Sequence, residues 1–371
     1  MKKLILLFVF ACQAFGAWGN GYTYRRTLTI DKAMVPNTDQ TNFPVLFSGT
    51  YSYLAHTTHS GLATDLNGYD IIFTSDAAGT TKLDHEIETY AHDTGVCVFW
   101  VRVPSVTTAA NTVIYLFYTN SSVTTSQQAI TGVWNSAYKG VWHMADNAAT
   151  KTVVESTSNA HNGTNVANTD TKTIAGQVAR ALDYASGSDS TNMGNNSVYD
   201  FTETATIEFW LKYPSISYGS KILNRMTYNV GGWDVEFNAA NADLVQYTND
   251  SGNNYPFDMA GAPLSADAWQ HCVVVFDYSG GSHIRRWYFN GASNRELDSN
   301  AYGEPPASIS LNLVISGDQA LSMDEIRLSN VVRSADWIHT EYHNQSDPST
   351  FYALGAETEN SGIRRRVVIV Q

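Results

Sequence analysis

Hydrophobic and polar positions alternate in short bursts along most of the chain. Tyr24-Arg25-Arg26-Thr27-Leu28-Thr29-Ile30, Val98-Phe99-Trp100-Val101-Arg102-Val103 and Thr112-Val113-Ile114-Tyr115-Leu116-Phe117-Tyr118 are each rich in β-branched and aromatic residues. Clusters of Asn, Asp, Gly, Ser and Thr separate them. A period of two sends successive side chains to opposite faces, so each run predicts a strand with one face on a core and one toward water. Residues 206–212, 233–237, 271–278 and 286–290 repeat the pattern, the last running into an Asn290-Gly291 hairpin turn. Helical periodicity is scarce. One helix is expected where Ser334 can cap, Asp336 sits in the first turn, Ile338 and Tyr342 share a face, and Pro348 ends the segment. Many short strands joined by polar turns predict an all-β chain of two β-sandwich domains with one short C-terminal helix. The polar stretch 121–128 has no core periodicity and reads as a linker.

Composition sharpens this picture. The 371 residues are 43% hydrophobic, enough for two cores of about 150 residues each. A formal net charge of −13 argues against nucleic acid as partner, since phosphate neutralisation needs a basic face. Aromatic content of 12% with only 15% charged residues argues against disorder. Lys2 and Lys3 precede the apolar run 4–11, and small residues follow at Ala14, Gly16 and Ala17. That order predicts a signal peptide over 1–17 and a secreted or cell-envelope protein, with lipidation at Cys12 as the alternative. No other apolar run approaches the roughly 18 residues of a transmembrane span. Cys97 and Cys272 lie in apolar runs and are expected as buried free thiols. The tail, with Arg364-Arg365-Arg366 and then Val367-Val368-Ile369-Val370, reads as an added edge strand or a frayed end, with a sorting tail as the alternative.

Two segments resemble known families. From about Tyr24 to Asn120, the chain resembles the bacterial domain of unknown function (DUF) 2341. The resemblance is carried by Tyr24-Arg25-Arg26, Asn42-Phe43-Pro44-Val45-Leu46, Tyr69-Asp70-Ile71-Ile72-Phe73, His85-Glu86-Ile87-Glu88, Trp100-Val101-Arg102-Val103-Pro104-Ser105 and the 112–118 run. From about Lys139 to Glu357, it is similar to a laminin-G-like, concanavalin A-like jelly roll. Here the carriers are Gly140-Val141-Trp142-His143-Met144, the loop 155–164, Met323-Asp324-Glu325-Ile326-Arg327-Leu328-Ser329 and Arg333-Ser334-Ala335-Asp336-Trp337-Ile338. The expected organisation is therefore a signal peptide at 1–17, a first sandwich at 21–121, a linker at 122–138, the jelly roll at 139–357 and a tail at 358–371. The resemblance implies an exported, non-enzymatic binding or adhesion protein that recognises carbohydrate or a cell-surface protein, with one structural calcium ion. Alternatives are a glycan-active enzyme and a structural part of a cell-surface or virion assembly. The oligomeric state stays open.

Calcium takes six to eight oxygen ligands from a bent loop. Glu155, Asn159 and Asn162 offer such oxygens, and Asp324 could join them from the closing strand. Glu155 stands where the family has Asp, and Ser158 and Ala160 replace glycines. Glu86 and Glu88 are two apart on a predicted strand, so both carboxylates leave one face about 7 Å apart. That spacing suits a ligand-binding or glycosidase-type pair, although a solvated strand face is the expected setting. His339 and His343 are four apart on the predicted helix, but no Glu directly follows the first, so the metalloprotease arrangement fails. Residues 74–81 read as a hairpin turn. The Glu-x-Asp-x-x-Glu strand of concanavalin A-type glycanases is absent; Trp233-Asp234-Val235-Glu236-Phe237 comes nearest. Of Trp142, Trp210, Trp233, Trp269 and Trp287, most are expected in the core rather than on a sugar-stacking surface.

Overall fold

The computed structural model describes residues 17–363, apart from position 186 and the short stretches 217–218, 239–242, 251, 260, 262–263, 281–282 and 299–303. Most of the expected signal peptide, Cys12 included, and the Arg364–Val370 part of the tail therefore lie outside the described residues. Among the described residues no helix is long and apolar enough to cross a membrane. The chain is all-β, as its alternation predicts, and among the described residues the strands named below pair antiparallel.

The first sandwich packs a five-stranded sheet on a three-stranded one. The larger runs Tyr352–Leu354, Tyr24–Ile30, Thr112–Tyr118, Ile71–Thr74, with Thr358–Glu359 also on Tyr24–Ile30. The smaller runs Gln40–Thr50, Val96–Val106, His85–Ala91. Leu28, Ile30, Phe47, Phe73, Phe99 and Leu116 fill the space between them. Two segments assigned by sequence to the jelly roll and the tail thus complete the first sheet, because Leu28, Thr29 and Ile30 need partners on their second edge and find Leu354, Ala353 and Tyr352.

The second sandwich stacks two eight-stranded sheets over a core that includes Trp142, Ile207, Phe209, Val235, Trp287 and Leu328. In its first sheet, Leu321–Ser329 lies between Arg180–Tyr184 and Thr204–Lys212, and Tyr138–Trp142 also pairs with it. Its second sheet contains Lys221–Thr227, Gly231–Asn238, Asp243–Asp250 and Asn253–Asp258 in sequential antiparallel order. Trp142, Trp210, Trp233 and Trp287 are buried, whereas Trp269 is half-buried beneath the Lys212 ammonium.

The two sandwiches meet face to face. A two-layer sheet normally leaves its outer positions polar, but the outer face of the three-stranded sheet carries Leu46, Val98 and Trp100 and must be covered. Trp134, Tyr138, Val141 and Val178 cover it. The expected linker is therefore packed structure, with a one-turn helix at Ile130–Val133 and Trp134 fully buried. The Ala335–Ser346 helix wedges in beside this contact. Ser334 caps it by accepting from the Trp337 N–H at 3.1 Å. Asn344 then accepts from the Leu46 N–H at 2.7 Å and donates to the Leu46 carbonyl at 3.1 Å, closing the open edge of Gln40–Thr50. Pro348 ends this helix and opens a second, Pro348–Phe351, for which Asp347 is the cap.

Candidate functional site

Two β-bulges aim acidic side chains into the junction between the sandwiches. In His85–Ala91 the register slips between Ile87 and Thr89, leaving Glu88 as the extra residue beside Glu86. In Leu321–Ser329 the partner positions jump from Arg327 to Asp324 opposite Glu208 and Trp210. Glu325 there has φ 48°, a left-handed conformation uncommon for a side-chain-bearing residue. A bulge re-aims side chains in this way. Met323 and Ile326 keep their places in the core while Asp324, Glu325 and Arg327 are buried outside it. From the neighbouring strand, Val141 and His143 point to the same side, with Trp142 and Met144 turned into the sandwich.

His143 sits at the centre. Its Nδ1 lies 2.8 Å from Glu325 Oε1 and 3.6 Å from Glu88 Oε2, and its Nε2 lies 3.2 Å from Glu86 Oε2. Its ring stacks on Trp100 at 5.7 Å. Glu86 also accepts from Trp134 Nε1 at 2.5 Å and Ser156 Oγ at 2.7 Å, and Glu88 accepts from Trp100 Nε1 at 2.8 Å. Arg327 extends the network: its Nη2 donates to Glu325 Oε2 at 2.8 Å and its Nη1 bonds Glu341 and approaches Glu208 at 3.4 Å.

Burial by itself would lower the His143 pKa, but Glu325, Glu86 and Glu88 outweigh it and raise it well above the ordinary imidazole range. Burial pushes Glu88 up to about 8, with His143 pulling down and Glu325 adding to the rise. Burial would likewise raise Glu86, but His143, Trp134 and Ser156 reverse the direction and keep it a carboxylate. A cavity of about 340 Å³ opens beside the cluster, lined in part by Glu86, Glu88, Gln128, His143 and Asp146.

The expectation of a solvated face for Glu86 and Glu88 is corrected: their side chains are 8% and 2% exposed, because the second sandwich covers that face. They share a strand and both face His143, so they do not flank a sugar ring from opposite walls as an acid/base pair must.

The four residues expected to hold calcium are divided. Glu155 accepts from the N–H groups of Val141, Thr157 and His161 at 3.1, 2.7 and 3.2 Å. Asn162 Oδ1 accepts from the Glu155 N–H at 2.9 Å, and the Asn159 amide donates to the Lys139 carbonyl at 3.2 Å. Asp324 is held elsewhere, by the Val178 N–H at 2.8 Å. Three of the four lone-pair sites of the Glu155 carboxylate are taken by N–H groups of its own loop and strand. These residues do not fit a calcium ion.

The outer face of the second eight-stranded sheet offers a different surface. Trp233, Val235 and Phe237 point into the core, which turns Asp234 and Glu236 outward. Lys221 Nζ bonds both, at 2.5 Å to Asp234 Oδ2. Burial pushes Asp234 up to about 7 against the pull of Lys221. Tyr247 pairs across the strands with Asp234, and its ring lies 5.9 Å from the Lys221 ammonium. Tyr228 is 64% exposed at the rim of a 260 Å³ depression shared with Met226, Glu236 and Asn254.

Residues 185–339 match the concanavalin A-like lectin/glucanases superfamily. Residues 67–135 match the domain of unknown function DUF2341, so the two families stand in the order that the sequence resemblance implied. No curated protein matches the chain. Among solved structures, the binding domain of Paraclostridial Mosquitocidal Protein 1 is 12% identical, with 56% of this chain aligned to 52% of that one at a TM-score of 0.46. The receptor binding domain of botulinum neurotoxin C/D mosaic serotype is 16% identical over 56% and 51% of the two chains, at a TM-score of 0.45. The binding domain of botulinum neurotoxin DC in complex with rat synaptotagmin II is 11% identical over 58% and 52%, also at 0.45. The alignments span about half the length of each of these structures.

The central residues of the junction, His143, Glu325, Arg327 and Glu341, escaped sequence reasoning. Asp324-Glu325 carried a signal: two adjacent acids inside an apolar run break the alternation of a concanavalin A-like strand, which is the mark of a bulge.

Proposed function

We propose that this chain is an exported, non-enzymatic binding protein whose concanavalin A-like sandwich holds carbohydrate on the outer face of its second sheet. The observation that carries this reading is the company of exposed Tyr228 with Tyr247, Glu236, Lys221 and Asn254 around one open depression. Sugars present apolar CH faces and rows of hydroxyls, and are met by aromatic rings beside planar polar groups. Export is supported by the charged-then-apolar order of the first seventeen residues.

The test is a glycan-array screen of the full chain, followed by titration of any hit against Tyr228→Ala and Glu236→Gln. Binding weakened at least tenfold in both variants, with unchanged far-UV circular dichroism, is the expected result. Hits that ignore both substitutions, or an array without hits, refute it.

A further inference from the structure

We propose that Glu88, His143 and Glu325 form a divalent transition-metal site at the junction of the two sandwiches, with an open coordination position on the neighbouring cavity. One imidazole nitrogen and two carboxylate oxygens from these residues all lie within 4.8 Å of one another. In a tetrahedral site with bonds of about 2.1 Å, neighbouring ligand atoms stand about 3.4 Å apart. His143 Nδ1 is 2.8 Å from Glu325 Oε1 and 3.6 Å from Glu88 Oε2, so the three are spaced to surround such an ion with small adjustments.

The outer shell is already built. A metal-bound imidazole needs its second nitrogen tied to an acceptor, which fixes the tautomer and frees the other lone pair. His143 Nε2 meets Glu86, and Glu86 is itself held by Trp134 and Ser156. Trp100 Nε1 steadies Glu88 and Arg327 steadies Glu325.

A further observation points to a cation. Glu88 Oε1 is buried with no hydrogen-bond partner, on a side chain that is 2% exposed and lines the cavity. An orphaned buried acceptor is costly, and a metal bond removes that cost. The nitrogen donor and the small number of oxygens favour zinc, manganese or ferrous iron over calcium. The cavity, with Gln128 and Asp146 on its wall, leaves room for water to complete the coordination. On binding, the ion takes the place of the proton on His143 Nδ1 and of the proton that Glu88 carries at neutral pH, and both pass to solvent.

The experiment titrates zinc, and separately cobalt(II), into the full chain after chelator treatment, by calorimetry and visible absorption. One equivalent is expected to bind, with tetrahedral cobalt bands, a raised melting temperature and proton release that shows as a buffer-dependent enthalpy. Glu88→Gln retains an acceptor for Trp100 and should weaken zinc at least tenfold while the chain stays folded; His143→Gln should do the same. Absence of stoichiometric binding overturns the proposal. So does binding that survives both substitutions, which would place the ion elsewhere, for instance on the His339–His343 pair, whose rings are 4.4 Å apart.

Discussion

Arg327→Met isolates the energetics of the junction. The Arg327 side chain is fully buried, bonds Glu325 and Glu341, and lies 4.4 Å from the Trp100 ring and 4.9 Å from that of Trp134. Methionine replaces much of the volume but none of the charge, leaving Glu208, Glu325 and Glu341 buried together. Removing one partner of a buried ion pair costs about 3–5 kcal/mol, and two desolvated ring contacts add about 1–2 kcal/mol. A loss of about 5 kcal/mol is a third or more of the stability of an ordinary domain, about 5–15 kcal/mol. Urea unfolding followed by tryptophan fluorescence, with chelator present, measures the cost. A cost below about 1 kcal/mol would refute the view of Arg327 as the keystone cation.

Glu88 makes its own pH statement. Its folded pKa of about 8 lies above its ordinary 4.5, so the stability contributed by its proton is complete below 4.5 and is lost as pH rises through 8. Metal-free native protein should lose up to about 1.4 kcal/mol per pH unit across that window relative to Glu88→Gln; parallel stability curves would contradict this. Asn344→Leu leaves the Leu46 N–H and C=O buried without partners and should cost about 2–4 kcal/mol in urea denaturation, a prediction that a change under 1 kcal/mol defeats. Cys97 and Cys272 are buried free thiols raised by burial. Both should resist alkylation until denaturant is added, as mass spectrometry of labelled peptides can establish.

How much of this was legible follows the range of the forces involved. The strand Thr112–Tyr118 and the Ser334 cap are local matters, decided by alternation and by one side chain reaching a nearby N–H, and both stand where the sequence puts them. Even the shared face of Glu86 and Glu88 is a two-residue rule. What covers that face is decided by residues far along the chain: Ser156 and His143 reach Glu86 across 70 and 57 positions, and no local pattern announces them. The bulges at Glu88 and Glu325 were hidden for a related reason, since one extra residue in a strand shows only when its partner strand is known. The loop 155–164 shows the opposite failing. Its Glu and Asn residues look like cation ligands by type, yet the fold turns N–H groups onto Glu155 and Asn162 and spends the Asn159 amide as a donor.

Tyr24–Ile30 pairs on one side with Thr112–Tyr118 and on the other with Tyr352–Leu354. A ribosome delivers the first of these neighbours early and the second only after the whole concanavalin A-like part has been made. Until then the nascent first block carries a bare sheet edge, and the completed sheet has to wait for the far end of the chain.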